Sequence, residues 1–325
     1  MRVNRAVCVT AAVLWLVATV AFVPSRAVAD DKVSLRLDWI PGVEHAFAFL
    51  AEQKGWFKEE GIDLEILPGQ GSTVSVKLVG NRENDFAFSD GATLVQAWQH
   101  GVPLVSLMVL YHDTPTVVVA KDGSPVKALK DICGKKMGVM IKSTTYAQFK
   151  GMLAAANIKC SFEEVPASPG GRELLSGIVA AQHHYGFLIG PLMKLKDAKV
   201  HLIPATNYFH FYSQTIITNE ALLKENKALV GRFMKALTRG LRYSIDHPDE
   251  ALAALVKARK ETKVDYEKLK QPLVNQLFLD PGPQKEKLGM QSADGWKQSA
   301  ETLAKIKITK SVVDTKGRFT NEFIQ

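Results

Sequence analysis

Val33-Ser34-Leu35-Arg36-Leu37-Asp38 and Ile62-Asp63-Leu64-Glu65-Ile66 each alternate apolar with polar side chains, the period-two pattern of a half-buried strand. Between them Ala46–Phe57 reads as a helix, closed by Gly55 and the polar run through Gly61. A strand, a helix and a second strand at this spacing predict parallel pairing, because a parallel connection needs a crossover that a helix supplies. A sheet of that kind has helices on its faces. Working outward, the pattern predicts a helix over Ser72–Gly80, a strand at Asp85–Phe88, a helix over Ala92–His100 and an apolar stretch at Val102–Leu110.

Lys121-Asp122-Gly123-Ser124-Pro125 is a turn cluster and predicts a boundary. The alternation then restarts, with strands expected at Met137–Ile141, Phe162–Val165, Tyr185–Leu188, His201–Ile203 and Thr215–Thr218. From Glu220 onward long helical stretches take over, among them Asn226–Ser244 and Pro248–Arg259. The expected fold class is α/β: two lobes followed by a helical tail. No internal repeat is visible, which excludes a solenoid.

The amino terminus predicts export. Arg2 and Arg5 precede the apolar run Val7–Val23, Pro24 ends it, and Ala27-Val28-Ala29 has the small-x-small form of a leader-peptidase site. A retained anchor is the alternative, since the run approaches the length of a membrane span. Cys8 stands too early in the run to be a lipid-attachment cysteine. Residues 1–29 are therefore expected to be a signal peptide and the mature protein to be periplasmic.

The chain carries 41 Lys and Arg against 33 Asp and Glu. The leader holds Arg2, Arg5 and Arg26 and no acid, so 38 basic residues remain without it. This thin, dispersed excess excludes a nucleic-acid footprint. Cys133 and Cys160 are the two cysteines beyond the leader. They precede successive expected strands, and neighbouring parallel strands could bring them within bridging distance in an oxidising compartment. Two buried free thiols are the alternative reading.

Leu37-Asp38-Trp39-Ile40-Pro41, His45 and Lys54-Gly55-Trp56-Phe57-Lys58-Glu59-Glu60-Gly61-Ile62 resemble the opening of the thiamine-pyrimidine and alkanesulfonate receptor family. Pro68-Gly69-Gln70-Gly71-Ser72, Asp85-Phe86-Ala87-Phe88-Ser89-Asp90 and Gly101-Val102-Pro103 continue the similarity, and Phe233–Leu241, His247–Ala251, Gly289-Met290, Trp296 and Phe319–Phe323 extend it to the end. The resemblance implies a type II periplasmic-binding fold, with lobe one in residues 31–119 and 214–325 and lobe two in 120–213. It also implies a ligand held in the cleft, lobe closure by hinge motion, and an ABC permease as partner of a monomeric receptor. Gly177-Ile178-Val179-Ala180-Ala181 departs from the acidic pattern that the family often places there.

A cleft between such lobes is lined by strand carboxyl ends and helix amino ends. Trp39 is placed there to stack on a flat ring, and His45 opens the next helix as a donor. Gly71-Ser72-Thr73 and Ser143-Thr144-Thr145 start helices whose free N–H groups suit an anionic or polar group. Ser89 and Asp90 end a strand; Asp90 either pairs with a ligand amine or caps the following helix. Tyr208 and Tyr212, in the run Tyr208-Phe209-His210-Phe211-Tyr212, flank the cleft or pack the hinge. Tyr185 is a weaker candidate.

Catalysis is not expected. His183-His184 lacks further ligands at metal spacing and reads as a surface pair. Gly186 and Gly190 do not form a phosphate or dinucleotide loop, and no Gly-x-Ser-x-Gly elbow occurs. The pyrimidine synthases related to the family are marked by a Cys-Cys-Cys-Phe-Cys stretch, which this sequence lacks. No cofactor or metal is expected. A small heteroaromatic or anionic ligand is, with a thiamine-type aminopyrimidine ahead of an alkanesulfonate or taurine. A sensor domain or an exported enzyme are the remaining readings.

Overall fold

The computed structural model describes residues 30–324; the expected leader lies outside the described residues. Ten strands form two five-stranded sheets. The first sheet contains β1 (Asp31–Arg36), β2 (Ile62–Leu67), β3 (Phe86–Asp90) and β4 (Leu104–Val109). The second contains β5 (Thr116–Lys121), β6 (Lys136–Val139), β7 (Glu163–Pro166), β8 (Ala181–Tyr185) and β9 (Val200–Pro204). β10 (Gln214–Asn219) returns to the first.

The sheets repeat one plan. Their orders are β2-β1-β3-β10-β4 and β7-β6-β8-β5-β9. In each, three parallel strands are followed by an antiparallel one that arrives from the other half of the chain. The antiparallel strand is inserted between its neighbours, so each lobe is completed only after the chain has crossed over. β5 lies wholly in the second sheet, pairing with β8 and β9. The first crossing therefore runs through residues 110–115, and the boundary expected at 119/120 falls inside a strand. The Lys121–Pro125 turn cluster that suggested it ends β5 within lobe two. The second crossing occupies residues 205–213.

Local chemistry accounts for most elements. β1 buries Val33 and Leu35 while Ser34 and Arg36 stay half-buried, as the alternation predicts. The Ala46–Phe57 helix is two helices, Ala46–Gln53 and Trp56–Glu59, because Gly55 adopts φ 76°; residues other than glycine avoid that region. The strand expected at Tyr185–Leu188 is displaced: β8 ends at Tyr185, and Gly186 opens the helix Gly186–Leu195. Apolar runs of this length do not distinguish buried strand from buried helix.

His183 and His184 lie on β8 and are buried, so the surface reading is corrected. Met140 N donates to Nε2 of His183, and Nδ1 of His183 lies 3.0 Å from Thr145 Oγ1. Burial, with His184 adding to it, lowers the His183 imidazole to about 3.

Cys133 and Cys160 are disulfide-bonded. They precede the paired parallel strands β6 and β7 and join the ends of those strands remote from Tyr185. The tail helices Lys227–Asp246, Pro248–Ala258 and Val264–Leu279 cover lobe one, where Phe233 stacks on Phe86 at 3.7 Å between centroids. The lobe-one core is broad, from Val33 to Phe278. One face of lobe two holds a smaller cluster of Val117, Val119, Leu174, Val179, Ile189 and Met193.

Candidate functional site

The carboxyl ends of β1, β3 and β8 meet where the lobes face each other. Asp90 ends β3 and is 1 % exposed. Its Oδ1 caps the helix Gly91–Gln99 by accepting from Ala92 N at 2.9 Å. Its Oδ2 accepts from Ser213 Oγ, on the second crossing, at 2.7 Å. Lobe two supplies two more donors: Gln148 Nε2 lies 3.3 Å from both carboxylate oxygens, and the Tyr185 hydroxyl 3.3 Å from Oδ2. Capping and cleft position, set as alternatives in the sequence, coincide in this one side chain.

The second crossing can come this close only because residue 91 is glycine. A Cβ there would stand 2.1 Å from the Tyr212 carbonyl oxygen. Gln148 is held in turn by Thr114 Oγ1 at 2.8 Å and by Thr116 Oγ1, both donating to its Oε1. Burial raises the Asp90 carboxyl, opposed by its donors Ser213, Ala92 and Gln148. Burial, then the charges of Asp90 and Asp38, drives the Tyr185 phenol well above its ordinary value.

Beside this cluster stands a second carboxylate. Asp38 follows β1, its side chain 16 % exposed, and His45 Nε2 lies 2.9 Å from its Oδ1. Tyr111, on the first crossing, is buried with its hydroxyl unpartnered among the described residues. Burial raises its phenol, and Glu44 and Asp38 add to the effect. Tyr111 meets Phe187 edge-on, and Phe187 stacks with Tyr185. The lobe junction thus combines two carboxylates, two phenols and an apolar ring, a lining suited to a flat molecule with hydrogen-bond donors on its edge.

Trp39 is 42 % exposed and not a core residue. Gly71 N donates to Asp38 O at 2.7 Å, Ser72 Oγ accepts from Asp90 N at 3.0 Å, and Thr73 is exposed. Ser89 Oγ donates to the Asp90 carbonyl. In lobe two, Ser143 caps Tyr146 N, Thr145 turns inward to His183, and Thr144 Oγ1 reaches Thr93 Oγ1 of lobe one at 3.4 Å. Tyr208 and Tyr212 do not join the Asp90 cluster. Tyr208 packs against the apolar cluster around Leu129 and Phe209; the Tyr212 hydroxyl donates to Glu286, and its ring packs edge-on to Trp296 and His112.

Asp38, Tyr111, Gln148 and Ser213 were not among the residues selected from sequence. Asp38 carried a signal, since it adjoins Trp39 at a strand end. The others carried none: Gln148 lies in the second turn of a helix, and Tyr111 and Ser213 lie in crossings whose path the sequence leaves open.

The protein is similar over almost its whole length to characterised proteins. The riboflavin-binding protein RibY of Chloroflexus aurantiacus is 24 % identical, covering 94 % of this chain and 90 % of that protein. The formylaminopyrimidine-binding protein of Halalkalibacterium halodurans is 23 % identical over 92 % of each. A 4-amino-5-hydroxymethyl-2-methylpyrimidine phosphate synthase of Legionella pneumophila is 22 % identical, covering 90 % of this chain and 92 % of that one. The periplasmic aliphatic sulphonate binding protein SsuA of Escherichia coli superposes with a TM-score of 0.67 at 13 % identity, covering 88 % of this chain and 91 % of that one. That likeness establishes the periplasmic-binding-protein fold. The NMT1/THI5 like family model matches residues 43–251, and the chain accordingly belongs to the NMT1/THI5-like family.

Proposed function

We propose that this protein is an extracytoplasmic solute receptor that closes on a small heteroaromatic ligand, a thiamine-type aminopyrimidine first, and delivers it to an ABC importer. The observation that carries the reading is the buried carboxylate of Asp90, which takes hydrogen bonds from lobe one, lobe two and the crossing between them. A buried carboxylate is stable only among donors, and an amino-substituted ring edge can supply them in place of Gln148 and Tyr185. Asp38 adds a second acceptor, the unpartnered Tyr111 hydroxyl offers a donor to a ring nitrogen, and Trp39 stands exposed after β1.

The same lining argues against a sulfonate. An anion placed here meets two carboxylates, and like charges at short range in a buried site are costly. Catalysis is not part of the reading, although one relative is a pyrimidine phosphate synthase; this chain has no cysteine-rich stretch of the kind that marks those enzymes. Export follows from the amino-terminal pattern, with Asp30 as the first residue after cleavage.

A thermal-shift panel tests the ligand reading: 4-amino-5-hydroxymethyl-2-methylpyrimidine, formylaminopyrimidine, riboflavin and taurine, each from low to millimolar concentration. At a hundred times its dissociation constant a ligand adds roughly 2.7 kcal/mol, a rise of about 5 °C for a chain of this size. A pyrimidine is expected to give that shift and to be recovered unchanged. A shift from taurine alone replaces the reading with the sulfonate one. Silence across the panel removes both.

A further inference from the structure

We infer that Lys270 is a positioning residue for the cleft: from the helix Val264–Leu279 it fixes the turn Gly42–His45, and through His45 the carboxylate of Asp38. The inference rests on the cleft reading proposed above. Lys270 is 2 % exposed, with Nζ 2.7 Å from Glu44 Oε2 and 3.1 Å from Glu267 Oε2. Glu267 Oε2 also accepts from Val43 N at 2.9 Å. One ammonium therefore holds two carboxylates, one on the turn itself and one already bonded to the turn's backbone.

The turn then sets the histidine. Gly42 N donates to Nδ1 of His45 at 3.3 Å, so Nδ1 is the acceptor and the proton sits on Nε2. Nε2 donates to Asp38 Oδ1 at 2.9 Å, and Phe88 packs edge-on against the imidazole at 4.9 Å. This is the arrangement in which a second group fixes the tautomer and aim of the group facing the ligand.

The charges are not needed for cohesion alone. A buried ion cluster confers little net stability over apolar residues of the same volume, and the helix is already packed through Val274 and Phe278. What an apolar replacement cannot do is hold Glu44 and Glu267 at fixed distance from one point. Burial raises Glu44, but the Lys270 ammonium beside it outweighs this and its carboxyl lies low; burial dominates for Glu267, whose carboxyl lies high. The same helix senses lobe two: the Tyr266 hydroxyl donates to Leu188 O at 3.0 Å, and its ring lies 5.1 Å from Lys270 Nζ. The helix that reaches across to lobe two is thus the one that aims Asp38.

Side-chain 15N NMR of the histidines, with His45 assigned from a His45→Gln variant, tests this without a ligand. Binding of 4-amino-5-hydroxymethyl-2-methylpyrimidine tests its consequence. The unmodified protein is expected to show His45 protonated on Nε2. Lys270→Met should replace that state with a tautomer mixture and weaken the probe at least tenfold, and Lys270→Arg should restore both in part. Where Lys270→Met alone does not fold, Glu44→Gln combined with Lys270→Met keeps the cluster's net charge and is read the same way. A folded variant that keeps both the Nε2–H tautomer and the probe affinity overturns the inference. If the unmodified protein does not bind the probe yet its tautomer changes as stated, the positioning role stands and the ligand reading falls.

Discussion

Lobe one brings charge to the junction, and lobe two brings neutral donors. Asp38, Asp90 and the Glu44–Lys270–Glu267 cluster all lie in lobe one. Lobe two answers with the amide of Gln148, the phenol of Tyr185 and the hydroxyl of Thr144, and its own buried ionisable pair, His183 and His184, has pKa values pushed down by burial. Their supports differ as well. Lobe one rests on a broad core capped by tail helices, which can accommodate buried carboxylates. Lobe two has a small cluster on one face of its sheet and a larger one, continuous with lobe one, on the other. It is stapled by Cys133–Cys160 and keeps its buried histidines neutral, while Ser168 donates to the buried carboxylate of Glu173. Ionised groups belong where helices and backbone donors surround them.

Four experiments break or sharpen this contrast. Replacing Cys133 and Cys160 by serine opens a loop of 27 residues in sequence separation and should cost about 3–4 kcal/mol. Denaturant unfolding should show the loss, with β6 and β7 exchanging amide protons first; equal exchange in both lobes would contradict the idea that lobe two is the one that needs the staple.

Acid should act on lobe two next. His183 has a folded value of about 3 against about 6.5 unfolded. Its contribution to stability is complete above about pH 6.5 and is lost as pH falls toward 3. The loss should reach about 2–3 kcal/mol by about pH 4.5. His183→Gln should flatten the stability curve over that interval, and an unchanged slope would place the acid sensitivity elsewhere.

Asp90→Asn tests lobe one. It keeps the side chain's shape but removes the charge that four donors share, and should weaken an aminopyrimidine probe about 10- to 100-fold, roughly 1.4–2.8 kcal/mol. Calorimetric titration against the unmodified protein reads it directly. The smallest effect belongs to Thr144→Val. Its 3.4 Å approach to Thr93 lies at the outer edge of hydrogen bonding, so affinity should change by less than about 0.5 kcal/mol.

Much of the fold was legible in sequence because it rests on short-range chemistry. Ser72–Gly80 is a helix between the same residues in both readings, since Gly71 and Asn81 bound an apolar stripe. β1 and β2 show their alternation, and Pro248 opens its helix as expected of proline at a first turn. Legibility failed where local signals were silent or double-valued. Tyr185–Leu188 is apolar enough for strand or helix, and Gly186 decides it only once packed against Val117. His183-His184 looked polar in a polar context, but the sheet placed it in the centre of lobe two, between β6 and β5. The Lys121–Pro125 turn was a real turn and a false boundary, because which sheet a strand joins is a long-range fact.

The sequence by itself determined that this chain alternates strand and helix in two blocks, resembles the family to which it belongs and offers Trp39, His45 and Asp90 at strand and helix ends. Those conclusions follow from periodicity and from residue types within a few positions of one another. Only the tertiary structure decided that Asp90 is shared between lobes, that Tyr212 serves the crossing, and that Lys270, 226 residues from Glu44 along the chain, holds the turn behind Asp38. Contacts at that separation depend on where two crossings bring the sheets together, and no local pattern encodes that meeting.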